Sequence, residues 1–255
     1  MSLFSKIDPK LPVQEVHIKD ENLMLKAPFS MIVSGPSQSG KSTFLYEIVK
    51  HRLEVCSQKY GRIIYCQSNS FSHKNQAFIK KLQEQFPTLE LCQGLPKLAE
   101  LNLTLNNLPS LLLIDDLMEE VLNSSSIVQL VANDVHNYNI SVVIVFQNYF
   151  AQGRHGKTLV RNCHYRVFFY NRIEQLELRN ISSQISTNPN FFAANFDFLT
   201  KTFPNEKSHY LLIDGHFLSG VNQFLCRTHI FPQGPQKKIE PIIFFPNPDY
   251  KKDKK

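Results

Sequence analysis

The chain has 255 residues, 42% hydrophobic and 20% charged, with a net charge of +6 and a pI of about 9.0. That length fits one α/β domain with extensions, or at most two small domains. The apolar share excludes a globally disordered chain, and the basic balance suits an anionic partner such as nucleic acid.

The five cysteines, Cys56, Cys66, Cys92, Cys163 and Cys226, are scattered without a C-x-x-C pair. Such spacing points to reduced thiols in an intracellular setting, not to a zinc site or a disulfide framework. The opening MSLFSKIDPK lacks the apolar stretch of a secretory signal. The longest apolar runs, such as Ile140 to Phe146, are too short to cross a bilayer, so a soluble protein without a membrane span is expected.

Residues 1–27 are polar, carry Pro9 and Pro12, and read as an N-terminal extension with at most one short strand. Phe29 to Ser34 is a short apolar run ending at Gly35 and reads as a buried strand. Past the glycines, Phe44, Leu45, Ile48, Val49 and Leu53 recur at helical spacing. Arg62 to Cys66 predicts a second strand and residues 73–86 a helix, while 89–108 fit no single pattern. Leu111 to Asp116 predicts a third strand, 119–137 a helix, Ile140 to Phe146 a fourth strand and Tyr165 to Tyr170 a fifth. Helices are expected over Glu174 to Ile185 and Phe191 to Phe203. Short strands are expected at Tyr210 to Asp214, Gln223 to Phe231 and Pro241 to Phe245, followed by a basic tail over 247–255. Alternating helices and solidly apolar strands imply an α/β domain over 28–246, with a mostly parallel sheet covered on both faces and extended by the C-terminal strands.

The segment Gly35-Pro36-Ser37-Gln38-Ser39-Gly40-Lys41-Ser42 matches G-x-x-x-x-G-K-[ST] at every fixed position. The glycines admit torsions and close approach that a Cβ would obstruct, so the loop amides can point inward as an anion nest at a helix N-terminus. On this reading the loop binds ATP. Lys41 reaches the β- and γ-phosphates, the Ser42 hydroxyl takes Mg²⁺, and Thr43 touches the α-phosphate.

The strand ending at Asp115 and Asp116 offers two carboxylates where such a loop needs them. Asp115 is assigned to Mg²⁺ through water, as a Walker B residue, and Asp116 to orienting or deprotonating the attacking water. Glu119 and Glu120 are alternative bases, although their place suits a helix start. The next strand ends at Gln147, whose amide can bond both the γ-phosphate and the water. This order of motifs belongs to P-loop ATPases with an added strand between the P-loop and acidic strands. Arginines stand at 52, 62, 154, 161, 166, 172, 179 and 227, and five of them fall between 154 and 179. Arg154 and Arg161 closely follow the Gln147 strand and are candidates for a finger reaching a neighbouring subunit's γ-phosphate, or for DNA phosphate contacts.

The stretches GPSQSGKSTF, LLLIDDLM and NISVVIVFQNYFAQGRHGKTLVRNCHY resemble FtsK/HerA-type genome-packaging ATPases of the ASCE, RecA-like group. The nearest types are those of Maverick/Polinton elements, adintoviruses and nucleocytoplasmic large DNA viruses. The resemblance spans residues 28–231 and is most specific over 140–171. It implies a ring, a pentamer or hexamer, that drives double-stranded DNA into a preformed capsid in an infected cell, alongside capsid or portal-vertex proteins. It also implies an Asp-Asp pair, accounting for Asp116. A basic residue near position 157 is common in the family; here it is Lys157, which lacks the planar fork of an arginine, so weight moves to Arg154 and Arg161. A nucleotide or small-molecule kinase and a non-hydrolysing P-loop virion protein are the alternatives.

Overall fold

The computed structural model describes residues 13–17, 23–68, 73–97, 109–149, 153–171, 175–186, 188–222, 225–233 and 239–246. Its strands, in chain order, are β1 (Val13–His17), β2 (Ser30–Ser34), β3 (Arg62–Gln67), β4 (Leu89–Gln93), β5 (Ser110–Asp115), β6 (Ile140–Phe146), β7 (Tyr165–Phe169), β8 (Tyr210–Asp214), β9 (Cys226–Thr228) and β10 (Ile242–Pro246). The helices are α1 (Lys41–Lys50), α2 (Arg52–Val55), α3 (His73–Gln85), α4 (Met118–Asn123), α5 (Ser125–Gln129), α6 (Gly156–Asn162), α7 (Gln175–Ile185) and α8 (Phe191–Thr202). The strands form one ten-stranded sheet in the order β1-β10-β9-β8-β7-β2-β6-β5-β3-β4.

The six strands from β7 to β4 run parallel, and β8, β9, β10 and β1 continue the sheet antiparallel. The sequence separates the two blocks. Every residue of β2 and β6 is buried, as parallel strands covered on both faces require. Side-chain parity then divides the core. Met31, Val33, Ile63, Tyr65, Leu111, Leu113, Val143 and Val145 face Phe44, Leu45, Ile48 and Val49 of α1 and Leu82 of α3. Ile32, Ile64, Leu112, Ile114, Val142 and Ile144 face α4 to α8 through Val121, Ile127, Leu159, Leu178, Phe192 and Phe196. This is the mostly parallel α/β sheet, flanked by helices and extended by C-terminal strands, that the sequence predicts. β6 lies between the loop strand β2 and the acidic strand β5.

Two details differ from the sequence reading and two complete it. The single helix expected over 119–137 is α4, α5 and a π turn at Leu130–Asp134. The break falls at Ser124, whose hydroxyl accepts the Ile127 N–H (3.3 Å) and caps α5 instead of sitting inside one helix. Residues 223 and 224 lie outside the described residues, and of the rest of the strand expected over 223–231 only Cys226–Thr228 is strand, as β9. β4 occupies the start of the undecided 89–108 stretch. The short strand of the N-terminal extension pairs with β10, so that Val13 stands opposite Pro246 at the sheet's edge.

Candidate functional site

β2 delivers the chain to Gly35 at the C-terminal edge of the parallel strands, and α1 begins at Lys41. The loop between them is tightly enclosed. A Cβ on Gly35 (φ 156°) would lie 2.5 Å from the Phe169 Cβ, and one on Gly40 (φ 104°) would lie 2.8 Å from the Ser208 Oγ. The Gly35 N–H donates to the Phe146 carbonyl (3.3 Å), tying the loop to the end of β6. Lys41 is only 9% exposed, and its ammonium donates to the carbonyls of Gly35 (2.7 Å) and Pro36 (2.6 Å). Burial pulls its pKa below the lysine range, while Asp115 and then Asp116 oppose that shift.

Loop and acidic strand meet directly. The Ser42 hydroxyl donates to Asp115 Oδ2 (3.1 Å), and the Tyr65 hydroxyl donates to the same oxygen (2.7 Å). Desolvation raises the Asp115 pKa, and the Tyr65 and Ser42 hydrogen bonds pull against it. Asp116 is exposed and left-handed at φ 57°, and the Ser68 hydroxyl donates to its Oδ2 (3.4 Å). A cavity of about 460 Å³ opens here, lined by Ser37, Gln38, Gly40, Lys41, Ser42, Thr43, Asp115, Asp116, Met118, Val145 and Gln147. Gln147 reaches it because β6 is the strand between loop and acids, and Gln147 follows its last residue.

Other sequence candidates lie elsewhere. Glu119 and Glu120 occupy the exposed first turn of α4 and do not line the cavity. Arg154 and Arg161 are exposed and also stand outside it. Because α6 carries the chain from the end of β6 back to the start of β7, Arg154 precedes its head at the loop edge of the sheet and Arg161 lies at its foot. Arg166 is held within the fold, donating to the carbonyls of Val160 (3.2 Å) and Arg161 (3.4 Å) at the end of α6. Arg227 is 1% exposed and paired with Asp214 (3.3 Å). Arg172 lies outside the described residues.

Two groups escaped the sequence reading. Tyr65 and Ser68 come from β3 and its end, and the only signal for Tyr65 is a hydroxyl in the apolar middle of its strand. The second group is His136, His164 and His216, which cluster with potential ligand nitrogens within 4.8 Å of one another at the opposite edge of the sheet. Their hydrogen bonds oppose a metal. His164 Nδ1 accepts the Ser30 N–H (3.0 Å) and His216 Nδ1 accepts the Leu218 N–H (3.1 Å). Each of these rings therefore carries its proton on Nε2, and His216 gives it to the Pro28 carbonyl (3.2 Å). A metal on Nε2 would force a proton onto Nδ1, against a backbone N–H.

The strand order, the glycine loop opening α1 and the acids on the strand beyond β6 define the class: an α/β P-loop nucleotide-binding fold. No protein-family model matches the chain, and no curated protein matches it. Among solved structures it is similar to B204, the DNA-packaging ATPase from Sulfolobus turreted icosahedral virus, at 17% identity and a TM-score of 0.44, over 73% of this chain and 92% of that one. It is also similar to the assembled ATPase EscN of the enteropathogenic E. coli type III secretion system, at 12% identity and a TM-score of 0.36, over 59% of this chain and 45% of that one.

Proposed function

We propose that this chain is a Mg²⁺-dependent ATPase that works as a homo-oligomeric ring and translocates double-stranded DNA into a preformed viral capsid. The observation that carries the ATPase reading is the Ser42–Asp115 hydrogen bond, which joins loop and acidic strand across the cavity. The donor set fits Mg²⁺. Ser42 gives its proton to Asp115, so its lone pairs remain for a hard cation, and Asp115 is a carboxylate able to hold that cation's water. Bound Mg²⁺ supplies charge neutralisation at the β- and γ-phosphates.

The residues divide the remaining work. The backbone from Gly35 to Thr43 cradles the phosphates, and Lys41 exchanges its loop carbonyls for phosphate oxygens. Asp116 orients the attacking water and takes its proton, with Gln147 as a second contact to the water. Arg154 or Arg161, outside the cavity of their own chain, serves the site of a neighbour. The DNA-driven ring and its capsid partners extend the resemblance read in the sequence, and the net charge of +6 supports contact with a polyanion. No helix among the described residues is long and apolar enough to cross a membrane. The setting is an infected cell, with the ring at the capsid.

The test is ATP turnover with and without double-stranded DNA at low salt, alongside a mass measurement of the assembled species. Turnover should require Mg²⁺, rise with DNA and fall at least a hundredfold in Lys41→Ala, on the scale of a lost charge clamp. Wild-type turnover equal to that of Lys41→Ala would leave a binding protein, and turnover indifferent to DNA would remove the motor.

A further inference from the structure

We propose that Tyr65 is a positioning residue for Asp115: its hydroxyl fixes the carboxylate so that one oxygen is kept for the metal's water. This rests on the reading of Asp115 as the metal-side carboxylate.

Tyr65 is an anomaly in its strand. β3 is otherwise apolar along its middle, and this side chain is 2% exposed, with its ring packed beside Phe78 at a centroid distance of 6.1 Å. A buried hydroxyl needs a partner, and this one finds Asp115 Oδ2 at 2.7 Å. Ser42 of α1 donates to the same atom at 3.1 Å. The two donors come from different elements, α1 and β3, both earlier in the chain than the acid, and converge on Oδ2. Among the described residues no donor reaches Oδ1, which is the oxygen able to accept from a coordinated water. Burial and the neighbouring carboxylate hold the Tyr65 proton in place, so the group donates. A hydroxyl donating to an ionised carboxylate makes a strong, short contact, and it fixes rotation about the final side-chain bond. Without it, Ser42 alone orients Asp115, and Ser42 is itself assigned to the cation.

Tyr65→Phe deletes the hydroxyl and retains the ring. The measurement is Mg²⁺ titration of the binding of a fluorescent ATP analogue, with a parallel binding curve in EDTA and a thermal midpoint for each variant. Tyr65→Phe should raise the half-saturating Mg²⁺ about tenfold, the usual effect of losing a residue that orients a metal ligand. Binding in EDTA and the thermal midpoint should stay at wild-type values, and turnover lost at low Mg²⁺ should return at high Mg²⁺. Tyr60→Phe removes another tyrosine hydroxyl, bonded to Ser141 Oγ (2.7 Å), and should leave the Mg²⁺ curve where it was. Tyr65→Met, apolar and without a hydroxyl, gives the same reading should the Phe variant not fold. An unmoved Mg²⁺ curve in the Tyr65 variants, with Asp115→Asn shifted, overturns the proposal and leaves Tyr65 as packing. An unmoved curve in Asp115→Asn as well overturns the metal reading of the site and this inference with it.

Discussion

Single atoms decide how this site is set. Asp115 gathers two hydroxyls on one oxygen, and Lys41 rests on its own loop's carbonyls. Gly40 shows how little room the loop has. At φ 104°, with Ser208 Oγ 2.8 Å from where a Cβ would stand, Gly40→Ala meets both a backbone penalty and a clash. The backbone part alone costs about 1–2 kcal/mol. Urea unfolding of Gly40→Ala should show at least that loss. Adding Ser208→Gly should recover the clash and not the torsional cost.

His164 offers a pH readout at the same scale. Burial first, then the neighbouring His216 and His136 rings, lower its pKa from 6.5 to about 4. A histidine whose pKa falls on folding binds a proton more readily when unfolded. Its contribution is therefore complete above pH 6.5 and is lost as pH falls toward 4, where protonating Nδ1 evicts the Ser30 N–H. The thermal midpoint should drop across that window. His164→Asn keeps an acceptor but cannot titrate, so it should flatten part of the drop. An equally steep fall in the variant would assign the acid sensitivity to other groups.

Between elements, a buried ion pair, Asp214–Arg227, joins β8 to β9. Both side chains are buried, Ser219 Oγ donates to Asp214 Oδ1 (2.7 Å), and Arg227 keeps Nε and Nη1 without partners among the described residues. Removing one partner strands a charge in the core. Asp214→Ala should therefore destabilise the fold by about 3–5 kcal/mol, measured by urea unfolding. An apolar pair, Asp214→Leu with Arg227→Met, should recover most of that loss. The same scale explains what the sequence could disclose. The loop, the acids and Gln147 are each tied to one strand end, so contiguous residues announce them. β2, β5 and β6 are apolar along most of their length and legible for the same reason. β4 buries only Leu89 and is largely exposed at an open edge, and α6 is a seven-residue helix that begins with Gly156, so neither carries a strong period. Tyr65 and the three histidines were illegible because their roles arise from register: Gln67 pairs with Asp115, and that alignment places Tyr65 below the acid.

For the whole molecule, charge and assembly are the measurable consequences. Binding by lysines and arginines to phosphates releases counterions, so DNA-stimulated turnover should fall steeply with salt while DNA-independent turnover changes little. Arg154→Ala and Arg161→Ala separate two roles. The finger variant should lose turnover in homogeneous rings, and mixing it with Lys41→Ala chains should restore part of it, since each defect then leaves some interfaces intact. A residue that contacts only DNA should lose stimulation and keep basal turnover.

The pairing of Val13 with Pro246 has a practical corollary. β1 starts and β10 finishes at the same corner of the sheet, at the edge away from the phosphate loop. A dye placed at each of these two positions would come within a few ångströms of its mate only once the outer strands are zipped, so energy transfer between them reports closure of the sheet without touching the nucleotide. A surface tether at either position would likewise hold the molecule with its cavity facing outward, leaving a neighbouring copy free to approach.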